Sequence, residues 1–245
     1  MNDTDFTGQT VLVVGGSSGI GNGIARAFLD RGAFVHVWGT RPDARDYHAE
    51  EGSDLSGLHY AHVNVADPVA LEAYRPAFET LNVLVLSQGT VLYRREEFTR
   101  EGWDKVMAVN LDSVMGCATK FKPMLAASGG SLIIVSSVSG YRSNKGNPAY
   151  ATSKAGVINL TRTLGEAWAP DGVRVNGIAP GLVDTKLTKV TTGNPKRLAE
   201  TLARIPLGRA GQPSEMGSVA LFLASPLASY VVGQTIPVCG GISVT

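Results

Sequence analysis

The sequence predicts an α/β fold in which a doubly wound parallel sheet of about seven strands carries helices on both faces. Three observations support that class. Short apolar runs recur along the chain, longer stretches with helical apolar spacing separate them, and the first run leads directly into a glycine-rich turn that opens a helix. Near-continuous apolar runs are what strands need when both faces of a parallel sheet are covered.

The strands are expected, in order, at Thr10 to Val14, Ala33 to Trp38, Leu58 to Val63, Asn82 to Leu86, Ser131 to Ser136, Val173 to Ala179 and Thr235 to Val238. Between them, GIGNGIARAFLDRG starts on glycines and stops at Gly32. Asp67 to Phe78, Thr99 to Ala127, Pro148 to Ala169 and Pro213 to Ala224 carry helical spacing or a starting proline. No internal repeat, low-complexity tract or linker divides the chain, so residues 1–245 read as a single domain. Two long loops remain, Gly39 to Gly57 and Leu182 to Gly211, and loops of such length in a compact α/β domain are more often functional than idle.

Bulk properties narrow the partners. The chain has 245 residues, 44% hydrophobic and 18% charged, with a formal net charge of +1. With a sequence pI near 7.8 and no polybasic run, nothing in it attracts nucleic acid or an anionic membrane. Cys117 and Cys239 are far apart and lack CxxC spacing, which reads as two structural thiols in a reducing compartment. The polar, acidic start MNDTDFTGQT and the lack of a membrane-length apolar run make a cytoplasmic protein the expectation. His36, His48, His59 and His62 have no partners that suggest a metal; His59 and His62 fall on opposite faces of a predicted strand.

Chemistry begins at VVGGSSGIG, Val13 to Gly21, which follows the first strand and opens the first helix. Glycine lets the backbone turn sharply and approach a pyrophosphate, whose charge is met by N–H groups and the positive end of the helix dipole. Gly15, Gly19 and Gly21 are placed at the phosphates with Ile20 between the last two, and Ser17 and Ser18 offer hydroxyl donors. Farther on, NPAYATSKAG sets Tyr150 and Lys154 four positions apart with small residues between them.

GGSSGIG, Asn110 in VMAVNLDS, Ser137 in IIVSSVSG, YATSK from Tyr150 to Lys154 and APGLVDT from Ala179 to Thr185 together resemble the short-chain dehydrogenase/reductase family, over essentially the whole chain. The resemblance implies a Rossmann fold, usually in a homotetramer built from the two long helices and the C-terminal segment. It also implies an NAD(P)-dependent oxidoreductase interconverting a ketone and its secondary alcohol. On a helix, residues i and i+4 share a face, so Lys154 can bring its ammonium near the Tyr150 hydroxyl and favour the phenolate. Tyr150 then serves as general acid or base while the hydride chemistry belongs to the nicotinamide. Ser137, at the end of a predicted strand, would hydrogen-bond the substrate oxygen. By resemblance Asn110 holds a water linking Lys154 to solvent. Pro180, Gly181, Val183 and Thr185 meet the nicotinamide, Asn64 and Val65 touch the adenine, and Gly89 faces the ribose.

Two departures stand out. Val14 replaces the family's threonine, and LSQG, Leu86 to Gly89, replaces Asn-Asn-Ala-Gly, which removes an asparagine that ties neighbouring strands. The second strand ends in Gly39, Thr40 and Arg41 rather than a carboxylate. Nothing there repels a 2′-phosphate, and a guanidinium fork suits one, so NADP(H) is expected, with NAD(H) possible. The pattern is similar to 3-oxoacyl-acyl-carrier-protein reductases. The stretches that would receive an acidic carrier, LAASGGS and APDG, hold no cation, so a free small or medium-sized ketone is expected. The alternatives are that carrier-linked substrate, an NAD-dependent alcohol or diol dehydrogenase, and a non-catalytic dinucleotide sensor. The loop Leu182 to Gly211 is expected to close over the substrate with Leu182, Leu187 and Val190 inward and Lys186, Lys189, Lys196 and Arg197 in water. Tyr93 and Tyr141 flank the expected site.

Overall fold

A computed structural model describes residues 3–49 and 52–244. Seven parallel strands form one sheet in the order β3-β2-β1-β4-β5-β6-β7. They are β1 (Thr10–Val14), β2 (Phe34–Gly39), β3 (His59–His62), β4 (Val83–Leu86), β5 (Ser131–Val135), β6 (Arg174–Pro180) and β7 (Thr235–Val238). Each expected strand is present within a residue or two. The register runs Val11 to Val35 and Val83, then Val83 to Ser131 and Ser131 to Arg174. Chain order reverses between β1 and β4, and ligands of open α/β sheets bind beyond the carboxyl ends of strands at such a point.

The side-chain alternation of the strands sorts the core into two layers. Val11, Val13, Val35, Val37, Val83, Val85 and Ile133 pack against Ile24 and Phe28 of α1 (Gly19–Leu29) and against Met216, Ala220 and Leu223 of α8 (Pro213–Ala224). Leu12, Val14, Leu84, Leu86, Leu132 and Ile134 face Val114, Phe121 and Leu125 of α4 (Ser113–Ser128) and Val157 and Leu164 of α5 (Pro148–Trp168). Both layers are buried, which is why these strands do not alternate in polarity.

Three elements differ from the sequence expectation. The helix expected over Asp67 to Phe78 is only α2 (Pro68–Ala73), capped by the Asp67 carboxylate on the amides of Val69 and Ala70. It ends at Ala73, with Tyr74 in extended conformation (ψ 133°), and Pro76, which disfavours helix at Arg75, bars its continuation to Phe78. The stretch Thr99 to Ala127 is not one helix: α3 (Arg100–Met107) passes through a π turn at Ala108–Asp112 into α4. The loop Leu182 to Gly211 is not irregular throughout; it carries α6 (Lys189–Thr192) and α7 (Pro195–Leu202), with the Asn194 side chain accepting from Arg197 N at the start of α7. In the loop Gly39 to Gly57, a 3-10 turn spans Ala44–Asp46, and residues 50 and 51 lie outside the described ones.

Candidate active site

At the carboxyl end of β1 the chain turns on Gly15 and Gly19, both in the left-handed region (φ 74° and 54°). A Cβ on Gly21 would lie 2.1 Å from the Gly15 carbonyl oxygen, so the turn closes by a backbone contact that only glycine permits. Ser18 enters α1 in extended conformation with no capping bond from its side chain, and Gly19 N donates to the Gly52 carbonyl (3.0 Å), so the amides that the first turn offers a phosphate are those after Gly19. One turn on, Asn22 donates to the carbonyls of Gly16 (3.3 Å) and Asp54 (2.8 Å) and accepts from Asp54 N (3.1 Å), pinning the loop from below. Sequence reasoning passed over Asn22. Its only signal is a polar residue on a helix face that is otherwise apolar. Ile20 packs against the α1 core layer.

The end of β2 lies beside this turn. A Cβ on Gly39 would come within 2.5 Å of both the Ser17 and Tyr47 hydroxyl oxygens, so any side chain there would have to displace them. Tyr47 Oη accepts from the amides of Thr40 and Arg41, each at 3.1 Å. Burial pushes the Tyr47 phenol up, but hydrogen bonds from Ser17, Arg41 and Thr40 outweigh it and leave the phenol below its ordinary value. The Arg41 guanidinium lies over the Tyr47 ring, 4.6 Å from its centre, and donates to the Asp46 carbonyl. Two amides and a guanidinium gather on the Tyr47 side chain beside the glycine turn, and the residues present fit a dinucleotide.

Across the switch point, Asn110, Ser137, Tyr150 and Lys154 converge. Asn110 is fully buried in the π turn, a feature that often marks functional sites. Its Oδ1 accepts from Thr90 N (2.7 Å), and its Nδ2 donates to Thr90 O (2.9 Å) and Ser153 Oγ (3.1 Å). Lys154, 4% exposed, donates from Nζ to the Val135 carbonyl (2.9 Å) and sits 5.8 Å from the centre of the Tyr150 ring. Burial brings its ammonium down to about 8. Ser137 lies two residues past β5, accepts from Ser139 N (3.1 Å) and brings its hydroxyl near that of Tyr150. Burial pushes the Tyr150 phenol above its ordinary value; the Ser137 hydroxyl opposes this, and the nearby Tyr93 and Glu97 add to it.

Gly89 stands against this cluster, since a Cβ there would meet Lys154 Nζ at 3.5 Å and Asn110 Oδ1 at 3.7 Å. In place of the missing asparagine of LSQG, Gln88 reaches inward and donates to Ser113 Oγ (3.0 Å), tying the strand end to the start of α4. Pro180 ends β6, Gly181 donates to Val238 O (3.1 Å), and Val183 is buried beside Gly211. Thr185 returns to the glycine turn, with its Cβ 3.4 Å from where a Cβ on Gly19 would sit. Asn64 and Val65 lie farther out, past the end of β3; Asn64 accepts from Ala66 N (3.2 Å) and Val65 packs into the core.

The flanking residues divide. Tyr93 donates to the Leu187 carbonyl (3.0 Å), joining the loop after β4 to the segment after β6. Tyr141 donates instead to Thr235 O (3.1 Å) at the start of β7, a packing role at the far end of that strand. Leu182 packs inward near Val138 and Ile205, whereas Leu187 and Val190 are exposed. Glu97, also passed over in the sequence, is a buried carboxylate beside Tyr150. His36 and His59 stack with ring centres 4.8 Å apart at the sheet edge, away from this site.

A family profile described as enoyl-(acyl carrier protein) reductase matches residues 14–243. Among curated relatives, the 3-oxoacyl-[acyl-carrier-protein] reductase of Chlamydia muridarum is 37% identical over 246 residues, covering 96% of this chain and 97% of that protein. Galactitol 2-dehydrogenase (L-tagatose-forming) of Cereibacter sphaeroides is 38% identical over 243 residues, covering 97% and 96%. Among solved structures, a putative 2-deoxy-D-gluconate 3-dehydrogenase from Agrobacterium tumefaciens with bound NADP superposes with a TM-score of 0.88 at 31% identity over 100% of both chains. The Pseudomonas aeruginosa RhlG/NADP complex superposes with a TM-score of 0.90 at 30% identity over 99% of both. The chain belongs to the short-chain dehydrogenase/reductase family and is an NAD(P)-dependent oxidoreductase acting on an alcohol or ketone.

Proposed function

We propose that the protein is an NADP(H)-dependent reductase of a free small or medium-sized ketone, running also in the reverse direction on the secondary alcohol. The observation that carries this reading is the convergence of Tyr150, Ser137 and Lys154 at the end of β5, opposite a glycine turn that meets Thr185. When bound, the dinucleotide supplies or accepts the hydride. Tyr150 donates a proton to the carbonyl oxygen in reduction and removes one from the alcohol in oxidation. Ser137, beside the Tyr150 hydroxyl, orients the same oxygen. The Lys154 ammonium holds positive charge beside the Tyr150 ring, and Asn110 fixes the backbone of Thr90 at the floor of the site. Gly15, Ser17, Ser18, Gly19, Ile20 and Gly21 hold the pyrophosphate, and Pro180, Gly181, Val183 and Thr185 the nicotinamide end. Asn64, Val65 and Gly89 complete the dinucleotide contacts. The segment from 182 to 211 covers the substrate.

The preference for NADP(H) rests on Gly39, Thr40 and Arg41. A 2′-phosphate oxygen in the place of the Tyr47 hydroxyl would receive the same two amides, with the guanidinium alongside. NADP-bound relatives agree with this. The first curated relatives point to a 3-oxoacyl thioester on a carrier protein as the second reading. Charge argues against it: Lys122, the cation closest to LAASGGS, is paired with Asp171 of APDG at 2.7 Å, and Arg174 is spent on the carbonyls of Leu223, Ala224, Ser225 and Ala228. An acidic carrier would find little to steer it. A homotetramer through α4, α5 and the C-terminal segment belongs to the same reading, and light scattering of the purified protein tests it.

The deciding experiment follows reduced-nicotinamide absorbance with NADPH and with NADH against free ketones and a carrier-linked 3-oxoacyl thioester, with Tyr150→Phe alongside. Turnover of free ketones with NADPH, lost in Tyr150→Phe, is the expected result. Turnover of the carrier-linked thioester alone would overturn the substrate class, and a preference for NADH would overturn the cofactor assignment.

A further inference from the structure

Glu97 sits in the short turn Glu96–Phe98, directly after Arg94 and Arg95, which both adopt left-handed backbone (φ 56° and 65°). Two consecutive non-glycine residues in that region cost backbone energy, and they deliver one side chain to the interior. Glu97 is 1% exposed, and among the described residues no cation pairs with it. A buried carboxylate without a counter-ion persists only where N–H donors converge on it. Three do: Leu92 N (3.0 Å) and Asn147 Nδ2 (3.1 Å) on Oε1, and Tyr150 N (2.9 Å) on Oε2.

Tyr150 is the third residue of α5, and Asn147, at the position before the helix, makes no capping bond with its own side chain. Asn147 instead donates to Leu92 O (2.6 Å) as well as to Glu97, so the cap of α5 is supplied from another element. The carboxylate accepts from an N–H that a helix start leaves unpaired and adds negative charge at the positive end of a 21-residue helix. It also joins α5 to the loop whose Tyr93 bonds Leu187 of the covering segment.

We propose that Glu97 is a positioning residue for proton transfer: its carboxylate caps α5 at the Tyr150 amide, fixing the tyrosine ring while Ser137 fixes its hydroxyl. The proposal rests on Tyr150 being the proton-transfer group. The groups that titrate or carry charge around the phenol are Lys154 from α5 itself, and Tyr93 and Glu97 from the segment after β4; Ser137 from β5 is neutral. The negative charge of Glu97 therefore opposes the phenolate. In the reduction direction, where Tyr150 must be protonated and Lys154 charged, activity falls as pH rises through the titration of this pair, and removing the negative charge of Glu97 eases deprotonation of both and moves that fall to lower pH.

The test compares Glu97→Gln, Glu97→Asp and Tyr150→Phe by kcat, KM, NADPH affinity from fluorescence titration, and the pH profile of ketone reduction. An amide at 97 can accept on one side only, so it leaves at least one of three donors facing another donor. Glu97→Gln is expected to lower kcat by roughly 10- to 100-fold, as a small misplacement of a reacting group does. NADPH affinity should hold within about three-fold, and the alkaline limb should move to lower pH. Glu97→Asp keeps the charge but is one methylene short, so it should lower kcat and leave the limb in place. A purely structural carboxylate would change yield or stability without moving the limb, and that outcome overturns the proposal. So does a Glu97→Gln enzyme with unchanged kcat and profile. If Glu97→Gln does not bind NADPH, Glu97→Asp decides, and wild-type kcat in that variant refutes the positioning role. Activity surviving in Tyr150→Phe would instead sink the proton-transfer assignment itself.

Discussion

Lys154→Met should make the protein more stable while abolishing its activity. Burial holds the Lys154 ammonium at about 8 instead of its usual 10.5. At about 1.4 kcal/mol per tenfold change in proton affinity, this gap means the folded state carries a charging penalty of about 3 kcal/mol below pH ~8. The sign follows from proton counts. Between about pH 8 and 10.5 the unfolded chain binds the Lys154 proton and the folded chain does not, so stability rises with pH across that window and the penalty is absent above it. Methionine removes the penalty but leaves the Val135 carbonyl, 2.9 Å from Nζ, without its donor, which costs about 1–2 kcal/mol. The net gain near pH 7 is about 1–2 kcal/mol, or roughly 2–6 °C in Tm for a chain of this size. The assay is denaturant unfolding of both proteins at pH 7 and pH 10.5. Titrations shared by both proteins cancel in the difference, so the advantage of Lys154→Met should shrink and then reverse as pH rises. A pH-independent difference, or a variant less stable at pH 7, would refute the argument.

Three further outcomes follow from single contacts. Gly21→Ala places a methyl 2.1 Å from the Gly15 carbonyl, so NADPH binding by fluorescence titration should weaken by about 100-fold or more while circular dichroism stays that of a folded α/β protein. Arg41→Ala removes the guanidinium beside Tyr47, and KM for NADPH should rise about ten-fold with KM for NADH changed by less than about two-fold; equal effects on both would show that no phosphate is read there. Tyr93→Phe deletes the bond to the Leu187 carbonyl, so KM for the ketone should rise about five-fold with kcat little altered, and a fall in kcat alone would contradict a role in closing the site.

The sheet was legible because its signal is local. Each strand is a short apolar run, and burial on both sides keeps that run unbroken. The glycine turn was legible for a related reason, since its residue types are fixed by backbone contacts within a few positions, as Gly21 against Gly15 shows. Features set by distant partners were not. Asp67 to Phe78 has helical spacing to its end, but the helix ends at Ala73 and Pro76 bars its continuation. The π turn at Ala108–Asp112 holds Asn110 toward Thr90 and Ser153, contacts that no periodicity within α3 or α4 announces.

Glu97 makes the same point at the candidate site. In sequence it lies in RREEF, a charged stretch that reads as solvated surface, and its neighbour Glu96 is indeed exposed. What distinguishes the two is the pair of left-handed arginines before them, which turns one carboxylate inward onto an amide 53 positions away. Asn22 and Gln88 belong with it: one pins the glycine turn, the other replaces a lost strand tie by reaching α4, and both look in sequence like ordinary polar residues. The residues proposed for the chemistry are recognisable by type and spacing because the reaction would dictate them. The residues that hold them in place are chosen only by the fold, so they can differ wherever another side chain reaches the same donor. The departure at LSQG is therefore a change of support, with Ser113 Oγ passing the Gln88 tie on to the Val109 carbonyl at 2.7 Å, inside the π turn that carries Asn110.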